Sequence, residues 1–194
     1  MRKLYLAGWI FVLLMAWAGV RGTAPDPTPT PGGAHPETPP FTPRGEAASW
    51  FATMRPHCNP VEVETRHRFA PPPGSFDGVA YSAACWALAG RVDRAREIID
   101  GLDGERRWQA AGIVFNLAHP VADAGDDRSA GPIMELVVEY WPDHYMALYH
   151  AGMARLGLGD RDAARDYLER FLERYDVPDG WTSSARAALE DLGG

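Results

Sequence analysis

Lysine is all but absent from this sequence: Lys3 is the only one in 194 residues, and every other basic side chain is arginine. Those arginines gather into no basic stripe. Residues 1–44 carry a net +2 (Arg2, Lys3, Arg21 and Arg44 against Asp26 and Glu37), which leaves −9 for the remainder of a chain whose total is −7. An acidic body repels phosphate backbones, so no nucleic-acid partner is expected. Cysteine is nearly as scarce, with Cys58 and Cys85 alone. No CxxC lowers a thiolate pKa, which excludes a redox-catalytic pair, and no CxxCH attaches a haem. There is no Gly-x-Ser-x-Gly elbow, no phosphate-cradling glycine loop, no HExxH, and no nucleophile with a base at local spacing. The expectation is a chain with no catalytic residue and no cofactor.

What is present begins with an export segment. Met1-Arg2-Lys3 supplies a positive start, and Leu4–Val20 is an uncharged apolar run of 17 residues. That run is slightly long for a signal-peptide core and slightly short for a membrane span, so residues 1–22 read as either a cleaved signal peptide or a retained anchor. Small residues at Gly22 and Ala24 offer cleavage points, and no cysteine near the end of the run supports a lipid anchor. Residues 23–44 form a linker with prolines at 25, 27, 29, 31, 36, 39, 40 and 43. Alternating Thr-Pro favours extended polyproline II and lacks the apolar side chains to build a core. A spacer is the plain reading, and a recognition segment the other.

From Phe76 onward the apolar periodicity is helical. Val79–Leu88 continues through Gly90 into Ala95, Ile98, Ile99 and Leu102. Leu148–Leu156 continues through Gly159-Asp160 into Ala163, Ala164, Tyr167, Leu168, Phe171 and Leu172. Each reads as two amphipathic helices joined by a tight turn with glycine at the end of the first. Asp166/Arg170 and Arg165/Glu169 stand four residues apart and mark a solvated face.

Leu148-x-x-Ala151-Gly152-x-x-Arg155, with Gly159-Asp160, Ala164, Leu168 and Phe171, resembles the tetratricopeptide repeat, in which small residues let paired helices approach closely. Val79, Ala83, Trp86, Gly90, Ala95 and Ile99 look like a second copy. A third has Trp108-x-x-Ala111-Gly112-x-x-Phe115 as its first helix and Ala130, Met134, Val137 and Pro142 as its second. Ala95, Ala130 and Ala164 are 35 and 34 residues apart, matching the repeat period. Their partners Ala83, Gly112 and Gly152 are 29 and 40 apart, which implies an insertion over 119–131. Ser183–Leu192 then looks like a capping helix. The resemblance covers 76–192 and is nearest to bacterial cell-envelope members of the family. The fold class it implies is all-α: about three helix pairs and a cap over 76–194.

Residues 45–75 read as an N-terminal cap segment. Glu46–Arg55 is a short helix with Trp50, Phe51 and Met54 on one side, and Val61–Glu64 alternates like a brief strand. In an oxidising compartment Cys58 and Cys85 suggest a disulfide, against the alternative of two separate core thiols. His119, Asp123, Asp126 and Asp127 lie in a polar segment read as a loop. They could hold a divalent cation, or the aspartates could cap the next helix. His57, His67, His144 and His150 are scattered, and with the cysteines they match no zinc spacing.

By the family likeness, Ile113, Asn116, Tyr149, Met153 and Leu156 would line a concave groove suited to an apolar peptide, or would pack against the next helix. The function implied is an exported interaction module of the cell envelope, periplasmic or anchored to the inner membrane facing the periplasm. Its partner would be a protein or peptide, with membrane contact through residues 1–22 if they are uncleaved. The alternative is a metal-binding protein or enzyme using the His119–Asp127 segment.

Overall fold

The computed structural model describes residues 45–193. The expected signal or anchor segment (1–22) and linker (23–44) lie outside the described residues. Within those residues the chain is all-α, with nine α-helices and no strand. None of these helices is long and apolar enough to cross a membrane.

Six helices form three successive hairpins: α3 (Phe76–Leu88) with α4 (Val92–Asp100), α5 (Gly104–Asp123) with α6 (Asp127–Tyr140), and α7 (Tyr145–Gly157) with α8 (Arg161–Arg174). The three hairpin turns are alike. Gly90, Gly125 and Gly159 take φ of 72°, 83° and 77°, a left-handed conformation that costs glycine nothing. The next residue's N–H reaches back to close each first helix: Arg91 to Trp86 O at 2.9 Å, Asp126 to Val121 O at 3.2 Å and Asp160 to Arg155 O at 3.0 Å. Asp126 and Asp160 then cap the helices that follow, accepting from the N–H of Ser129 and Ala163. Ala95, Ala130 and Ala164 are each the fourth residue of a second helix, and all three are fully buried.

These turns correct the expected register. Gly90, Gly125 and Gly159 are 35 and 34 residues apart, the same intervals as the three alanines. Counting back from the turns, the partner of Ala83 and Gly152 in the middle hairpin is Ala118, not Gly112. There is no inserted loop over 119–131. Instead α5 runs unbroken through Pro120 to Asp123. The extra length lies at the start of α5, where Asp103 caps the helix by accepting from Arg106 N–H at 3.1 Å. Asp127 opens α6 ahead of Pro132, which sits inside that helix.

Close approach within and between hairpins depends on missing side chains. A Cβ on Gly152 would lie 2.7 Å from Leu168 Cγ of α8, and one on Gly131 would collide with Ala154 Cβ of α7. The last helix, α9 (Gly180–Gly193), begins at an Asp179 turn and lays Trp181 on Tyr149, ring centroids 4.8 Å apart.

Ahead of the hairpins, α1 (Glu46–Met54) packs on α3, with Phe51 stacked on Tyr81 at 4.8 Å. Val61–Glu64 is not a strand. Asn59 Oδ1 accepts from the N–H of Val61 and of Glu62, and α2 (Val63–Phe69) starts from that turn. Two valines alternating over four residues cannot outweigh a side chain that holds the turn leading into a helix. Cys58 and Cys85 are joined by a disulfide, Cα–Cα 4.9 Å, which ties this segment to α3.

Candidate functional site

The last turn of α5, the first residue of α6 and the middle of α7 converge on one polar cluster. A 3.6-residue period places His119 and Asp123 one turn apart on one face of α5, with His119 Nε2 3.2 Å from Asp123 Oδ1. His150 comes from α7, its Nε2 3.7 Å from the same Asp123 Oδ1. Its other nitrogen, Nδ1, lies 3.4 Å from Asp127 Oδ1 at the start of α6. His119, Asp123 and His150 each bring one ligand-capable atom within 4.8 Å of the other two.

The surroundings are aromatic. Phe115 stacks on His119 at 4.6 Å and tilts against His144 at 4.0 Å; Trp181 meets His150 edge-on at 5.6 Å. The His150 side chain is 3% exposed. The buried Nε2 atoms of His119 and His150 have no hydrogen-bond partner, and His150 Nε2 at 3.7 Å lies too far from Asp123 Oδ1 to make one. A buried polar atom left in that state costs stability.

Burial is the main cause that pushes His119 down to about 4. The Asp123 carboxylate opposes it, and neighbouring His150 adds to it. His144 is also pushed down to about 4 by burial. It caps α7 through Nδ1, which accepts from Ala147 N–H at 3.3 Å and so must be unprotonated there. At neutral pH both imidazoles are neutral, the form with a free nitrogen lone pair.

His67 gives the contrast. It is wedged between Trp50 and Trp86, yet both its nitrogens are engaged, Nδ1 with Val63 O at 2.8 Å and Nε2 with Ser82 Oγ at 3.1 Å. It is a satisfied core histidine. His57 pairs with Glu62 at 3.0 Å, while the adjacent Cys58 is taken up in the disulfide.

Of the residues singled out from sequence, His119 and Asp123 lie at the cluster, and Asp127 supports it through His150. Asp126 does not join them, because its side chain caps α6. Among the five groove residues, Asn116, Met153 and Leu156 are half-buried. Ile113 and Tyr149 are each 5% exposed and belong to the core, so they offer no open surface. Tyr149 is covered by Trp181 and packs on Phe171 at 5.2 Å. Sequence reasoning missed His144 and His150, which share no local motif with His119. The repeat interval held the signal: Asn116 and His150 are 34 apart, as are His119 and Met153, so all four share one face of successive first helices.

Comparison of the chain with protein-family models, curated proteins and solved structures finds no match.

Proposed function

We propose that this chain is an exported, tetratricopeptide-like interaction module of the bacterial cell envelope, which recognises a protein or peptide by rigid display of one helical face. The observation that carries the reading is the triple recurrence, at 35 and 34 residues, of a left-handed glycine turn and a buried alanine one turn into the helix that follows. Units of that length stacked side by side leave the first helices on one face, a surface suited to a segment of another chain. Asn116 on α5 and Met153 on α7 stand half-buried on it. The Cys58–Cys85 bridge is consistent with an oxidising compartment outside the cytoplasm. Residues 1–22 supply the route there, and 23–44 the distance from the membrane.

The test is site-specific photocrosslinking in intact envelopes, with a photoreactive side chain placed at Asn116, at Met153 or, as a control, at exposed Arg94. The expected result is one discrete adduct from Asn116 and Met153 and none from Arg94. No adduct, or equal adducts from all three positions, would overturn the reading.

A further inference from the structure

We propose that His119, Asp123 and His150 form a binding site for a zinc-class divalent transition-metal ion, with Asp127 orienting His150. The site goes beyond the interaction reading and does not depend on it. Two imidazole nitrogens and one carboxylate oxygen are the donor set that borderline ions take in preference to magnesium or calcium, which want oxygen shells.

The spacing fits. A tetrahedral ion with bonds of about 2.0–2.1 Å holds its ligand atoms about 3.3–3.4 Å apart. Here Asp123 Oδ1 lies 3.2 Å from His119 Nε2 and 3.7 Å from His150 Nε2. The independent observation is His150 itself. Its side chain is 97% buried, and its Nε2 points towards the Asp123 carboxylate without a hydrogen-bond partner. A metal bond would satisfy that atom and the equally unpartnered Nε2 of His119.

The opposite edge of the His150 ring completes the pattern. Asp127 Oδ1 at 3.4 Å accepts from Nδ1–H, which fixes the tautomer that leaves Nε2 free to ligate. Three protein ligands leave a further coordination position open, as in sites that exchange a bound water. Because α5 and α7 belong to successive hairpins, the ion would also pin one hairpin to the next.

The experiment is calorimetric titration of the full-length, disulfide-intact protein, purified metal-free in detergent, with Zn²⁺, Mg²⁺ and Ca²⁺ in turn. Co²⁺ is added separately as a spectroscopic probe. Expected are one Zn²⁺ per chain, a Co²⁺ visible band of tetrahedral intensity that Zn²⁺ abolishes, and no binding of Mg²⁺ or Ca²⁺. Asp123→Asn, at an exposed position that should not disturb folding, should weaken Zn²⁺ about 100-fold or more. Asp127→Asn should weaken it about 10- to 100-fold with stoichiometry kept. His57→Gln, remote from the cluster, should change nothing. Absence of stoichiometric Zn²⁺ binding overturns the proposal. So does binding unaffected by Asp123→Asn and His119→Gln together, or binding lost with His57→Gln.

Discussion

Two polar seams run between successive hairpins, and they are built on opposite terms. One is made of arginines and carboxylates. Arg96 of α4 grips Glu139 of α6 through Nε at 3.1 and 2.9 Å and also holds Asp93. Arg155 of α7 pairs with Glu135 of α6 and with Asp160. Each of these charges has a partner of opposite sign, and all are in partial contact with water. The other seam, His119–Asp123–His150–Asp127, crosses between the second and third hairpins with two buried nitrogens left over. A seam that only had to hold helices together would not keep those nitrogens, because a pair of apolar side chains would do the work at lower cost. The difference separates an interaction that is complete within the fold from one that has valence to spare.

Acid separates the seams most strongly. His119 and His144 ionise at about 4 in the folded chain against an ordinary value near 6.5. The unfolded chain therefore binds more protons throughout that interval. Stability is full above about pH 6.5 and is lost progressively as pH falls towards 4. A shift of that size corresponds to about 3 kcal/mol for His144, and less for His119, which keeps some solvent contact. The expected loss between pH 7 and pH 4 is on the order of 4 kcal/mol. Urea unfolding across the range measures it. His144→Asn keeps a side chain able to cap α7 but cannot titrate, so it should remove about three quarters of that loss. An unchanged slope in that variant would show that the acid response comes from groups other than His144.

Gly152 sits where both seams can be disturbed at once, because α7 carries His150 on one and Arg155 on the other. A Cβ there would meet Leu168 Cγ at 2.7 Å and Leu168 N at 3.3 Å. The side chain could shift, but the backbone nitrogen could not without moving α8. Gly152→Val should cost about 3 kcal/mol, a drop in melting temperature of about 10 °C. Gly157→Ala, in open space near the end of the same helix, should raise stability slightly. Equal effects from the two would mean that the α7–α8 contact is not tight.

How much of this was legible in the residues depended on whether the cause was local. The hairpins were legible, because glycine turns and amphipathic faces act within a few residues. The Ala95–Ala130–Ala164 interval was legible for the same reason. The register of the middle hairpin was not. Gly112 offered a small residue beside an aromatic pair and drew the match, whereas Ala118 does that job only because α5 continues past Pro120. That segment read as a loop, with a proline inside it. In the last turn of a helix it forfeits a single hydrogen bond, and packing against α6 outweighs that. The strand expected at Val61–Glu64 was lost to a single Asn59 side chain. The cluster was half legible: His119, Asp123 and Asp127 are neighbours in sequence, but His150 joins them only when one hairpin stacks on the next.

The arginine seam offers the smallest effect and the finest discrimination. Glu135 is about a quarter exposed and Arg155 about a third, so their pairing is partly solvated. Glu135→Gln keeps the shape and removes the charge, while Arg155 retains Asp160 at 3.1 Å. The expected cost is about 1 kcal/mol, and it should shrink as sodium chloride rises, because screening acts on charges that water can reach. His119 is neutral at pH 7, so the stability effect of His119→Gln should not follow salt. A double-mutant cycle of Glu135→Gln with Arg155→Met, run at low and high salt, measures the coupling directly. If that coupling were independent of salt and as large as 3 kcal/mol, the arginine seam would be behaving as a buried one. The contrast between a satisfied, solvated seam and an unsatisfied, buried one would then fail.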